Sequence, residues 1–171
     1  MVKVIMIGGE PAVGKTSIMR EVRRSYPERL NFKYGLLRGE VFDKDLYFIG
    51  VFDGDKFEGT DKLSMAVQED FITFVKNLST GLVVLEGDRL FNKSVIKELN
   101  PCVIIISVDD DVLNERHLVR KDNQTKTFIK SRKTKIHNIK QIIQPIVLTN
   151  NNELDFEVCV SKIKQLIDDN R

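Results

Sequence analysis

Apolar residues fall along the chain in short β-branched runs, separated by longer stretches in which they recur every three or four positions. Val2 to Ile7 is a mostly hydrophobic run ending in Gly8 and Gly9, the form of a parallel strand buried on both faces. Lys15 to about Arg24 reads as a helix, and Pro27 closes that region. Phe32 to Phe42 and Leu46 to Phe52 are two apolar stretches around the polar group Asp43, Lys44 and Asp45, which predicts a hairpin. Between Asp61 and Leu78, the residues Leu63, Ala66, Val67, Phe71, Phe74, Val75 and Leu78 keep the spacing of one helix face, and Gly81 stops it. Leu82 to Leu85 is a short buried strand running into Glu86, Gly87, Asp88 and Arg89, followed by a helix from Asn92 to Leu99 that Pro101 ends. Val103 to Val108 predicts another strand, with helical patterns to about Lys121 and from Thr125 to Ile143. Pro145 introduces a last strand, Ile146 to Thr149, and the terminal helix sets Phe156, Cys159, Val160, Ile163 and Ile167 on one face. Strands alternating with helices imply right-handed crossovers and a mostly parallel sheet, so the fold expected is α/β, a three-layer sandwich. Ligands then bind at the C-terminal ends of the strands.

A length of 171 residues suits one domain with one substantial core. With 42% hydrophobic and 30% charged residues, the composition excludes a disordered or fibrous chain. No stretch resembles a membrane span, and the first apolar run is too short for a signal-peptide core. The expectation is a cytoplasmic protein in a reducing compartment with no membrane partner. Cys102, at the start of a strand-like run, and Cys159, on a helix face, fit that expectation as packing residues. The net charge of +2 points to no partner, but its distribution does. Arg116, Arg120, Lys121, Lys126, Lys130, Arg132, Lys133, Lys135 and Lys140 face a single acid, Asp122, over that stretch. Such a run is a solvated helix face, a cationic cover over polyphosphate, or a track for a nucleic-acid backbone.

The chemically specific signal is Gly9-Glu10-Pro11-Ala12-Val13-Gly14-Lys15-Thr16, a complete G-x-x-x-x-G-K-[ST] pattern between a buried strand and a helix. Backbone N–H groups of such a loop wrap phosphates, Lys15 reaches the β and γ phosphates, and the Thr16 hydroxyl ligates Mg²⁺. The helix N-terminus, from Lys15 through Ser17, adds partial positive charge. The nucleotide-binding set is therefore Gly9, Glu10, Pro11, Ala12, Val13, Gly14, Lys15, Thr16 and Ser17, with a nucleoside triphosphate and Mg²⁺ as the ligands.

Phosphoryl transfer needs a carboxylate near the metal and cations over the transferring group. Glu86 and Asp88 lie just beyond a central strand, on the sheet edge that carries the loop, where either holds metal-bound water; Glu86 is the metal candidate beside Thr16. Arg89 binds acceptor phosphate or orients an acid. Asp53 follows the predicted hairpin and is a candidate general base, although Asp53-Gly54 is also a common turn sequence. Thr60 or Asp61 caps the following helix or contacts the acceptor. Arg116 and Arg120, four residues apart, share a helix face and can point at one ligand to neutralise phosphoryl charge. His117 and His137 show no metal-ligand spacing.

On these residues the chain resembles the P-loop kinases of the thymidylate kinase and deoxynucleoside kinase group. The resemblance rests on Gly9 to Thr16, the Asp88-Arg89 pair after a central strand, and Arg116 with Arg120 where that group has its lid. Gly59-Thr60-Asp61-Lys62-Leu63-Ser64 and the run Phe128 to Ile139, with Arg132, Lys133 and Lys135, are similar to small phage kinases linked to hydroxymethylated pyrimidines. The resemblance implies a five-stranded parallel core and, with the elements read above, a single P-loop kinase-like domain over residues 1–171 with a basic lid near 116–135; the hairpin insertion near 32–52 departs from that group. The resemblance also implies an ATP donor, Mg²⁺, an acceptor near the Asp-Arg pair, and adenine near Thr149 to Asn152.

The leading functional expectation is an ATP-dependent phosphotransferase acting on a pyrimidine-type nucleoside or nucleotide. A second acceptor is a hydroxymethylated pyrimidine within DNA, with the basic stretch at 116–140 tracking the backbone. A nucleotide-dependent ATPase switch is the alternative from another class. A GTPase is disfavoured, because Asn151-Asn152-Glu153-Leu154 does not supply the guanine-reading N-K-x-D pattern.

Overall fold

The strand β1 (Val2–Gly8) takes the middle of the sheet because its side chains are apolar on both faces. Val4 and Met6 enter one core, Ile5 and Ile7 the other. The remaining strands are β2 (Leu30–Tyr34), β3 (Leu37–Phe42), β4 (Leu46–Ile49), β5 (Gly81–Glu86), β6 (Cys102–Ser107) and β7 (Ile146–Thr149). The helices are α1 (Lys15–Arg24), α2 (Gln68–Asn77), α3 (Lys93–Leu99), α4 (Asp110–Arg120), α5 (Lys126–Lys140) and α6 (Glu153–Asn170). This computed structural model describes residues 1–55, 57–120 and 124–171, so the expectations placed on Lys121 and Asp122 lie outside the described residues.

The sheet has seven strands in the order β2-β3-β4-β5-β1-β6-β7. All pairings from β4 to β7 are parallel, while β2–β3 and β3–β4 are antiparallel. A five-stranded parallel core is therefore present, extended at one edge by two antiparallel strands. One layer packs Phe71, Phe74 and Val75 of α2, Val95 and Ile96 of α3, and Ile139 of α5 against Met6, Val83, Leu85, Val103 and Ile105. The opposite layer packs Ile18, Met19 and Val22 of α1, Leu113 of α4, and Cys159, Ile163 and Ile167 of α6 against Ile5, Ile7, Val84, Ile104 and Ile106. Truncating a fully buried member such as Ile104 to Ala removes contacts from a close-packed layer, at a cost of about 2–5 kcal/mol. Both cysteines are free thiols, Cys159 fully buried and Cys102 half-buried. Among the described residues no helix is long and apolar enough to cross a membrane.

Two segments depart from the sequence expectation. Phe32 to Phe42 is two strands, because the chain reverses at Gly35 and Leu36, with Gly35 at φ 57°. Leu46 to Ile49 is an integral parallel strand beside β5, so residues 32–52 form a three-stranded meander sharing its last strand with the core. The helix expected from Asp61 begins at Gln68; Thr60–Lys62 is a single 3-10 turn, and the residues to Val67 form turns. Asp61 spends its carboxylate on backbone N–H groups of the chain beyond β5, which holds this segment out of the helix.

Candidate active site

The loop between β1 and α1 is shaped by left-handed backbone at Ala12 (φ 69°) and Gly14 (φ 94°), with Gly9 at φ 146°. Val13 is buried and anchors the loop to the core. A Cβ at Gly9 would lie 2.4 Å from the carbonyl oxygen of Ile106, and one at Gly14 would lie 2.6 Å from Nδ2 of Asn150. Only glycine lets β6 and the segment after β7 approach the loop this closely. α1 starts without any side-chain cap, whereas α3, α5 and α6 are capped by Asn92, Thr125 and Asn152. Its first N–H groups are thus left for a ligand, and the helix dipole favours an anion there.

Lys15 folds over the loop and donates to the carbonyl oxygens of Gly9 and Glu10, both at 2.8 Å. Burial lowers its pKa, against the opposing charges of Glu86, Asp61 and Asp88. Thr16 Oγ1 donates to Oε1 of Glu86 at 3.2 Å. Glu86 is 3% exposed, and burial pushes its carboxyl up to about 7 although Lys15 acts in the opposite direction. Neighbouring ligands of an octahedral Mg²⁺, bound at about 2.1 Å, lie about 3.0 Å apart. The Thr16–Glu86 spacing fits such a pair of hard oxygen donors.

Two openings flank the loop. A cleft of about 110 Å³ is lined by Lys15, Thr16, Glu86, Asp61, Asp88 and Arg120, with the rings of Phe57 and Phe128 and the guanidinium of Arg132 closing it. A wider pocket of about 520 Å³ lies on the other side, between Ser17, Arg116, Val119 and Arg120 and the segment carrying Asn150, Asn152 and Phe156. Gly14, Ala12 and Arg120 line both, so they stand between the two openings.

The predicted site residues separate on this geometry. Lys15, Thr16, Glu86, Asp88 and Arg120 come together in the cleft, with Gly9, Pro11, Ala12 and Gly14 of the loop. Ser17 opens instead into the wider pocket. Arg120 has no hydrogen-bonded or ionic partner among the described residues, yet it stands close enough to Lys15 to lower its pKa further. Arg116 lines the wider pocket together with Arg120 but not the cleft. Its guanidinium donates to the carbonyl oxygens of Val13 (3.3 Å) and Asn150 (2.6 Å), because α4 passes over the seam between the loop and the end of β7.

Asp88 is not a free base: Lys135 donates to its Oδ1 at 2.7 Å and Arg132 pairs with its Oδ2. These cations bring α5 over the cleft, and Lys133 approaches Glu10 of the loop at 3.8 Å. Arg89 turns away from the cleft and donates to the carbonyl oxygen of Asp61 at 3.1 Å, so it braces that segment. Asp53 does not line the cleft either. Lys62 holds its carboxylate at 2.6 Å, keeping its pKa low, and it borders a separate depression with Phe32 and Phe52.

Asp61 is the carboxylate whose place the sequence left open. Its Oδ1 accepts the backbone N–H of Asp88 (2.7 Å) and of Arg89 (3.2 Å), which aims the side chain into the cleft. Glycines make this possible: a Cβ at Gly59 would lie 2.4 Å from Glu86 Oε1, and one at Gly87 would lie 2.6 Å from Thr60 Oγ1. Gly59 and Gly87 were the available signal. Asn150 lies in the Thr149 to Asn152 segment that the resemblance sets near adenine, but its bond to the loop was not legible in the sequence. It is buried, donates through Nδ2 to the carbonyl oxygen of Val13 at 2.8 Å, and ties the loop to β7. An asparagine after an edge strand carries no distinguishing pattern.

No protein-family model matches the chain, and no curated protein matches it in sequence. Solved structures do. A gluconokinase from Sinorhizobium meliloti 1021 is similar with a TM-score of 0.55 and 10% identity, over 98% of this chain and 94% of that one. A shikimate kinase from Bacteroides thetaiotaomicron gives 0.50 and 13%, over 97% and 98%. A sugar kinase from Janibacter sp. HTCC2649 gives 0.50 and 12%, over 98% and 95%. At these identities the likeness is one of fold, and it spans essentially the whole chain: the protein has the α/β architecture of the P-loop kinases.

Proposed function

We propose that this protein transfers the γ-phosphoryl group of ATP to a hydroxyl of a pyrimidine-type nucleoside or nucleotide. The observation that carries this reading is the convergence, in one cleft, of an anion-binding loop with Lys15, the Thr16–Glu86 oxygen pair, and two groups without a partner among the described residues, the Arg120 guanidinium and Asp61 Oδ2. Kinase folds among the similar structures agree with it.

The division of labour follows from the geometry. The wide pocket beside Arg116 and Asn150 takes the adenine and ribose, with the planar guanidinium, fixed by two carbonyl oxygens, as one wall. The loop and the uncapped start of α1 hold the phosphates. Thr16 and Glu86 would hold Mg²⁺, directly or through water, and the ion would supply charge neutralisation at the phosphates. Arg120, at the junction of the two openings, adds positive charge where the phosphoryl group moves. Of the acids in the cleft, Glu86 is committed to Thr16 and Asp88 to two cations. Asp61 is left to accept the acceptor's hydroxyl proton through Oδ2 while its Oδ1 stays anchored. Phe57 and Phe128 make the acceptor wall partly aromatic, with the Arg132 guanidinium 4.4 Å over the Phe128 ring.

A second acceptor, a hydroxymethylated pyrimidine within DNA, is favoured by the surface of α5. Arg132 and Lys135 turn inward to Asp88, while Lys126, Lys130 and Lys133 stay exposed along α5 and Lys140 stands at its far end beside Pro145 and Val147. A screen of γ-labelled ATP with nucleosides, nucleotides and hydroxymethylated DNA tests the reading. Label on a pyrimidine acceptor is the expected result. Hydrolysis without any labelled acceptor, stimulated by a partner, would mean an ATPase switch instead.

A further inference from the structure

We propose that the outer edge of the β2–β3–β4 meander is a phosphate-ester site, in which Lys33 and Arg38 bind a phosphate of the acceptor. The word acceptor rests on the phosphotransferase reading; the anion site rests on its own geometry. Lys33 and Arg38 stand directly opposite each other in the antiparallel β2–β3 register, so both side chains leave the same face. Like charges directly opposed across strands destabilise a sheet. Neither side chain has a hydrogen-bonded or ionic partner among the described residues, and both are exposed.

The carboxylates nearby do not relieve this charge. Glu40 is taken by Arg23 and Arg29, each at 2.6 Å. Asp53 is held by Lys62. Asp70, at the turn of the hairpin, accepts the Leu36 N–H at 2.7 Å. Two positive charges are thus left facing solvent at a position where the fold itself gains nothing from them.

They also border concave surface. A depression of about 410 Å³ and another of about 180 Å³ share Lys33 and Arg38 as common wall. The larger has Phe52 on one side and bare backbone at Gly39 on its floor, where a Cβ would lie 2.4 Å from the carbonyl oxygen of Phe48. Asp53 lines the larger depression and Lys62 the smaller, and both belong to the 53–62 segment that carries Phe57 and Asp61 into the cleft. The anion site therefore lies across one segment of chain from the place proposed for the acceptor hydroxyl. The ligand chemistry is a phosphate ester, from either the monophosphate of a free nucleotide or a phosphodiester of a DNA strand.

Binding without ATP tests this independently of transfer. Thymidine, thymidine 5′-monophosphate and a single-stranded thymidylate 12-mer are titrated, by calorimetry, into the wild-type chain and the Lys33→Ala/Arg38→Ala variant. The expected result is a tenfold or larger loss for a phosphate-bearing probe, with thymidine and ATP binding unchanged. Loss for the monophosphate identifies a free nucleotide. Loss for the oligonucleotide, with the salt slope of log K reduced by about 1.4 for two phosphate contacts, identifies a strand. A second variant guards against misfolding: Lys33→Glu replaces the repelling pair by an attracting one, raising Tm by roughly 1–3 °C while binding is lost. Equal binding of both phosphate probes by wild type and double variant, or binding of neither by the wild type, would overturn the proposal. Loss of probe binding in a protein that proves unable to transfer phosphate would leave the anion site standing and remove only the kinase reading.

Discussion

The two sides of the cleft are built by different means. The donor side is backbone: the loop from Gly9 to Gly14, the uncapped turn of α1, and a lysine already folded onto two carbonyl oxygens 2.8 Å away. The acceptor side is side chain, drawn from the 57–61 segment, the end of β5, α4 and α5, and held by ion pairs such as Asp88 with Arg132 and Lys135. A backbone cradle is preorganised and indifferent to what lies beyond the phosphates. A side-chain cleft can be remodelled residue by residue, so it is where different acceptors are chosen. With about 110 Å³ between its walls, the cleft is smaller than the few hundred Å³ that usually holds a small molecule.

Substitutions on the donor side should do the greater damage. Lys15→Ala removes the charge that spans loop and phosphates, and transfer should fall roughly 10³-fold, or about 4 kcal/mol of transition-state stabilisation. An undiminished steady-state rate would remove Lys15 from its role. The two arginines of α4 sharpen the boundary between the sides. Arg120→Ala should lower kcat about 100-fold with little change in KM for ATP, whereas Arg116→Ala should raise KM for ATP about tenfold and spare kcat. Equal effects of both on kcat would return Arg116 to the phosphates.

Glu86 gives a smaller, pH-dependent effect. Its carboxyl sits at about 7 in the fold against an ordinary 4.5, so between those values the folded protein holds a proton that the unfolded chain has released. Without metal, stability should fall as pH rises from about 4.5 to 7 and level off above, because the native state binds the extra proton. Mg²⁺ binding must expel that proton, so its affinity should weaken by about tenfold per unit as pH drops below 7. Thermal melts and Mg²⁺ titrations across this range check both, and Glu86→Gln should flatten both profiles.

The same division explains what the sequence disclosed. Gly9 to Thr16 is contiguous, so one pattern identified it, and its context between a buried strand and a helix was visible in the runs around it. The parallel core was legible because strands buried on both faces leave β-branched runs at Val4, Val83 and Ile104. The meander was partly hidden, since nothing in Phe32 to Phe42 except Gly35 marks a reversal. Asp53 looked like a base from its place after a strand, but an ion pair nine residues away in sequence, with Lys62, decides its position. Asp61 looked like a helix cap, because only the folded chain shows that β5 ends against it. Side chains that meet from four elements leave no spacing to read.

The claim that joins the two sides is the assignment of Asp61, rather than Asp53, to the acceptor hydroxyl. Asparagine preserves the Oδ1 acceptor that both backbone N–H groups use, so Asp61→Asn tests chemistry and not folding. Single-turnover transfer from γ-labelled ATP, measured side by side for Asp61→Asn and Asp53→Asn, is the most direct test. The structure predicts a loss of about 100-fold for Asp61→Asn, within the range of general-base removal, and a rate within about threefold of wild type for Asp53→Asn. The reverse order, with Asp53→Asn inactive and Asp61→Asn close to wild type, would contradict the account.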